Sequence, residues 1–168
     1  PMKKRRAYRA RSVKEVKWEV VSQGRDGQGV DVGFDVGKEE VLTVARWGED
    51  QFERPWLVKN PGEIRELVDL LVRVHRERPL TLAMEPTGTY GDGLRQALAD
   101  RGLPLRRVST KAAHDYAEIF DGVPSQHDGK DAAVVAELAA QGKSKEWPWA
   151  APSVVEQEMA YWVDWMDA

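Results

Sequence analysis

Apolar positions along the chain fall into short runs separated by turn residues, joined by stretches with helical periodicity. Residues 30–36 read Val-Asp-Val-Gly-Phe-Asp-Val, an apolar run with the length of a buried strand. Residues 40–46 predict a second strand after the Gly37-Lys38-Glu39 turn, and residues 51–58 a third. Three strands at this spacing read as an antiparallel meander. A helix follows, with Asn60 expected as its N-cap, Pro61 in the first turn and Glu63 at the third position. It should run to about residue 78 and stop before Pro79. Its inward stripe is Ile64, Leu67, Val68, Leu71, Val72 and His75, spaced i, i+3, i+4, i+7. Residues 80–84 predict the next strand, 89–101 a helix stopped by Gly102, and 103–108 another strand. Helices are expected at 111–120 and 126–140, split by Asp121-Gly122-Val123-Pro124.

A meander followed by alternating helix and strand predicts an α/β fold: a mixed sheet with helices on its faces, the RNase H-like arrangement. The domain is expected over residues 26–142. Before it, residues 1–25 read as a basic arm that gives way to a glycine-containing linker at 22–29. After it, residues 143–168 are tryptophan-rich and open a further helical region. If residues 153–168 are helical, Val155, Met159, Trp162 and Met166 share a stripe suited to an interface, so a homo-oligomer is expected.

At 168 residues the chain suits one core rather than two. It has no cysteine, which removes disulfides and thiolate chemistry, and no apolar run near the ~20 residues of a membrane span. A cytoplasmic location is the expectation. The net charge of −3 conceals an asymmetry: residues 1–17 carry eight Lys/Arg against Glu15, leaving −10 on the other 151 residues. Lys3, Lys4, Arg5, Arg6, Arg9 and Arg11 are therefore candidate nucleic-acid contacts, although a solvated tail explains them equally well.

Four carboxylates carry the candidate chemistry. Asp35 lies within the first strand, Glu85 ends the fourth, and Asp128 and Asp131 stand three apart, where one helix face would turn both toward the sheet. A charge near a core is costly unless paired or bound to a cation. Jointly placed, the four suggest Mg²⁺ or Mn²⁺ and phosphodiester chemistry, with two ions ~3.5–4 Å apart. Taken singly, each has a plain explanation. Asp35 suits a hairpin cap, Glu85 an exposed strand end, Asp128 a capping pair with Ser125, and Asp131 the positive helix N-terminus.

Thr87, Gly88 and Tyr90, in the turn Pro86–Tyr90, are candidates for positioning a phosphate or a base. Lys111 and Lys130, with Arg106 and Arg107, are candidates for backbone phosphates. His114 and His127 lack zinc-type partner spacing.

Three segments in order resemble the DEDD insertion-sequence transposases of the insertion-sequence one-ten family. Gly33-Phe34-Asp35-Val36-Gly37-Lys38 resembles the family's opening strand. Met84-Glu85-Pro86-Thr87-Gly88-Thr89-Tyr90 is similar to its glutamate-x-threonine-glycine-x-tyrosine segment, and His127 through Leu138-Ala139 to its paired-aspartate helix. His127 stands where threonine is usual. The resemblance implies a RuvC-like domain that holds Mg²⁺ through Asp35, Glu85, Asp128 and Asp131 and acts on DNA in transposition. It also implies a C-terminal domain with a nucleophilic serine, which a chain ending at Ala168 is expected to lack, and in some members a guide RNA. A standalone Holliday-junction-type nuclease and a non-catalytic nucleic-acid-binding module are the alternatives.

Overall fold

The computed structural model describes residues 6–150. Its strands in chain order are β1 (Arg11–Ser12), β2 (Val30–Val36), β3 (Glu40–Gly48), β4 (Gln51–Phe52), β5 (Trp56–Lys59), β6 (Leu80–Met84), β7 (Arg106–Arg107) and β8 (Lys145–Glu146). They form one sheet in the order β1-β5-β3-β2-β6-β7-β8, with β4 paired to β3. β2, β3 and β5 are the expected antiparallel meander, in register from Asp31↔Arg46 to Val36↔Val41 and from Glu40↔Lys59 to Thr43↔Trp56. β6 returns parallel beside β2, Val30↔Leu80 to Phe34↔Met84, and β7 lies parallel to β6. A parallel return needs a crossover long enough to recross the sheet, and a helix supplies it. The five central strands thus stand third, second, first, fourth, fifth, the mixed α/β sheet of an RNase H-like fold.

Alternation along β2 divides the molecule. Val30, Val32, Phe34 and Val36 are buried against one core with α2 (Ile64–Glu77) and α3 (Asp92–Asp100). Asp31, Gly33 and Asp35 fall on the other face, where α5 (Lys130–Ala140) packs with α4 (Thr110–Ala117) over Val44, Ala83 and Val108. The crossover helix α2 buries Ile64, Leu67, Val68, Leu71, Val72 and Val74. Val74, three residues past Leu71, takes the inner place, and His75 is exposed rather than core.

Several element boundaries differ from the sequence reading. The third strand splits at Glu53-Arg54-Pro55, beside a register shift in β3, and Pro55 brings no N–H to a ladder. α2 begins at Ile64, so Asn60 is not its N-cap; Glu63 stands there, its carboxylate accepting from the Lys59 N–H at 2.9 Å. Strand 103–108 shortens to Arg106–Arg107 after Pro104. The last helix starts at Lys130, not residue 126.

The basic arm is only partly an arm. Residues 11–21 belong to the fold: β1 adds to β5 in parallel, and α1 (Trp18–Val21) follows a 3-10 turn at Val13–Glu15. Val13, Trp18 and Val21 are buried among the cationic residues that masked them in the sequence. At the other end Arg95 stacks on Trp147 and Trp149, 3.6 and 4.7 Å from the ring centroids, so these tryptophans serve their own domain. Trp162, Trp165 and the expected terminal stripe lie outside the described residues, as do Lys3, Lys4 and Arg5.

Candidate metal centre and its flanks

The site begins with a glycine. A Cβ on Gly33 would stand 2.1 Å from the Ala132 carbonyl oxygen and 2.7 Å from the Ala136 nitrogen. Only a residue without a side chain lets α5 lie with its backbone on β2. That close approach carries the N-terminal turn of α5 to the end of the strand, and Asp131 with it.

Asp31 and Asp35, two rungs apart on one face of β2, then meet opposite surroundings. Asp31 pairs with Arg46, 3.2 Å away on the neighbouring strand, and Arg46 also reaches Glu137 of α5. Asp35 is half-buried with no such cation. Burial pushes its carboxyl above the usual range, and the negative Asp131 and Glu40 push further. Glu85, immediately after β6, is raised by burial, then by Asp35 and Asp131. Glu85 and Asp131 also line one cleft of about 210 Å³ with His114. Asp35, Glu85 and Asp131 are therefore one electrostatic group.

Asp128 is placed differently. It precedes the helix, so it does not share a helix face with Asp131 as the i, i+3 reading expected. It is exposed, and its Oδ2 accepts from the Ala10 N–H at 2.7 Å while its own N–H donates to the Tyr8 carbonyl. Through Oδ2 the carboxylate fastens the N-terminal segment in this structure. His127, where threonine was expected, is buried and accepts from the Gly129 N–H through Nδ1 at 3.0 Å. Burial lowers its pKa, in keeping with a neutral ring.

Hard carboxylate oxygens massed without a counter-cation suit Mg²⁺ or Mn²⁺ in donor chemistry. Among the described residues no three His, Asp or Glu side chains stand close enough to hold an ion as they are. Like charges feel each other here without converging to ligating distance.

The remaining candidates scatter. Thr87 Oγ1 is buried without a hydrogen-bond partner among the described residues, and Gly88 has φ of 57°. Tyr90 is 51% exposed. Lys111 is exposed and paired with Asp115, Nζ to Oδ2 3.0 Å. Lys130 is half-buried at the start of α5, and Arg106 is bound to Ser144 through its side chain and carbonyl. Arg6 and Arg9 are exposed, while Arg11 is partly buried.

Asn60 was missed as part of the site. Its Nδ2 donates to the Gly37 carbonyl at 2.9 Å and to the Tyr90 carbonyl at 3.0 Å. One amide thus ties together the loops that follow Asp35 and Glu85. Its place before Pro-Gly-Glu suggested a helix cap, and nothing local signals a tether between segments this far apart.

Residues 32–158 match the family model for DEDD transposases of the IS110 type, described as Transposase. The chain belongs to this transposase family. No curated protein matches it. Among solved structures it is similar to RuvC of Thermus thermophilus, alone and in complex with a Holliday junction substrate. Both are 17% identical, cover 70% of this chain and 99% of their own, and superpose with TM-scores of 0.46 and 0.45. As a family member the chain is a DNA-acting domain of the transposase type. None of its described helices is long and apolar enough to cross a membrane.

Proposed function

We propose that this chain is the metal-dependent catalytic domain of an insertion-sequence transposase or recombinase, with Asp35, Glu85 and Asp131 as ligands. One observation carries the reading: Asp31 has Arg46, whereas Asp35 on the same strand face is left among carboxylates. A merely structural aspartate would gain from a cation like Arg46. A site kept anionic at the cost of stability suits a cation that arrives with substrate.

When bound, Mg²⁺ would polarise a phosphodiester and help generate the attacking oxygen. Asp35 on β2 and Glu85, just past the end of the adjacent parallel β6, hold the rigid side of the site. Asp131 supplies the helix side, and Asp128 completes the set once Oδ1 or a shifted carboxylate turns inward. The Asn60 tether keeps the Gly37 and Tyr90 loops, and so Asp35 and Glu85, in fixed relation. Thr87 and Tyr90 flank the strand to be acted on. Strand exchange would further call on a nucleophilic serine domain, in cis or in trans, and on partner subunits.

Nicking of supercoiled and branched DNA by the chain with 5 mM Mg²⁺, as an order-of-magnitude dose, tests this reading. Asp35→Asn and Glu85→Gln should each abolish nicking while leaving DNA binding intact. Equal nicking by wild type and Asp35→Asn would overturn the assignment. Metal-independent binding alone would favour the non-catalytic module.

A further inference from the structure

A second charged constellation lies beside the Asp128 edge of the carboxylate group. A pocket of about 580 Å³ opens between the N-terminal segment, the β4–β5 connection and the loop before α5, with His127 in its wall. Arg6, Arg11 and Arg54 all line it. None of the three makes an ion pair among the described residues. Arg54 donates through Nε to the Arg9 carbonyl at 2.8 Å, which fixes its side chain while leaving the terminal nitrogens uncommitted among the described residues. The Nε of Arg11 is buried with no hydrogen-bond partner among the described residues.

A buried donor without an acceptor is destabilising, and two neighbouring guanidinium groups add repulsion. Burial, then Arg54, holds Arg11 below the usual arginine range, with Glu53 and Glu15 opposing more weakly. Glu53 lines the pocket too, but its Oε1 accepts from Trp47 Nε1 at 2.8 Å. Asp50 is the other acidic residue in the lining. Paired guanidinium forks with an orphaned N–H match the oxygens of a phosphate, which accept bidentate hydrogen bonds.

We infer that Arg11 and Arg54, with Arg6 beside them, form a seat for a backbone phosphodiester of a nucleic-acid strand passing the His127–Asp128 edge of the carboxylate group. The inference rests on the reading of the chain as a nucleic-acid-acting domain and adds to it a defined phosphate position. It also changes what the basic N-terminal segment does. Tyr8 and Ala10 hold that segment to Asp128, so a phosphate seated on Arg11 would bear directly on the segment that engages an expected metal ligand. DNA and RNA share the phosphodiester, and the test separates them.

The full chain, as wild type, Arg54→Gln and Arg11→Gln/Arg54→Gln, is titrated with labelled DNA and RNA strands of equal length over a salt series. Each lost phosphate contact lowers the log–log salt slope by ~0.7 on a single strand, and the affinity at moderate salt by roughly tenfold. The double variant should lose one such contact or more, on DNA if the seat holds the DNA strand, on RNA if it holds a guide, and on both if it takes either. An unchanged slope on both overturns the seat. Thermal unfolding with inorganic pyrophosphate gives a second readout that survives weak folding of the double variant. Pyrophosphate should raise the wild-type midpoint and leave that of Arg54→Gln where it is, and equal shifts in the two proteins overturn the seat. Asp35→Asn should keep the full salt slope while losing nicking. A seat that fails with nicking intact therefore leaves the catalytic reading standing, and loss of nicking dependence with the seat intact does the reverse.

Discussion

Asp31 and Asp35 have the same chemistry, strand and face, and differ only in neighbours. Asp31 faces Arg46, and Asp35 faces Asp131 and Glu40. Because the folded pKa values of Asp35 and Glu85 are raised, the folded chain holds their protons longer than the unfolded chain does. Their contribution to stability is fully present below the ordinary carboxylate values of about 4 and is lost as pH rises through the raised folded values. Asp35→Asn should therefore stabilise the metal-free protein at pH 7.5, at about 2–4 °C of melting temperature per kcal/mol gained, and make that stability less dependent on pH. Calorimetry across pH 4–8, an order-of-magnitude window set by these values, checks it. Mg²⁺ should raise the wild-type midpoint more at pH 7.5 than at pH 5 and leave the variant unmoved. At Asn60, removal of the amide in Asn60→Ala frees two carbonyls, costs about 1 kcal/mol in urea unfolding, and should slow nicking more than it weakens DNA binding.

At the scale of elements, Gly33 decides where the last helix lies. Gly33→Ala would force a methyl into the backbone of α5 at 2.1 Å, where no rotamer change relieves it. The expected loss is about 3 kcal/mol or more in urea unfolding, with catalysis impaired even where folding survives. Leu71→Ala, on the opposite layer, should cost about 2–5 kcal/mol with the metal response of the remaining folded protein unchanged. β2 and β6 were legible to the residue because a short apolar run bounded by glycine or proline has few other uses. Asp35 and Glu85 drew notice in the sequence for the same reason: charge on or beside such runs asks for an explanation. Residues whose partners are remote in sequence were not legible. Asn60 resembled a cap, His75 fitted the periodicity that Val74 in fact completes, and Asp128 looked helical although the helix starts at Lys130, after Gly129 as N-cap.

Across the whole molecule, the segment from His127 to Asp131 links two charged clusters, His127 lining one and Asp131 belonging to the other. The carboxylate group lies at the ends of β2 and β6, and the arginines of the N-terminal segment and the β4–β5 connection lie past Asp128. The sequence reading took the first 25 residues as an arm separate from the domain. The structure instead uses Val13, Trp18 and Val21 to build residues 11–21 into the core, so Arg11, Lys14 and Lys17 ride on the fold. On the function proposed for this chain, Asp35, Glu85 and Asp131 gather around a divalent cation. Anomalous diffraction from crystals soaked in Mn²⁺ tests it most directly. The expected result is a Mn²⁺ peak between the ends of β2, β6 and α5, liganded by Asp35, Glu85 and Asp131 and lost in Asp35→Asn crystals. Mn²⁺ peaks elsewhere, with these three carboxylates unliganded at saturating metal, would contradict it.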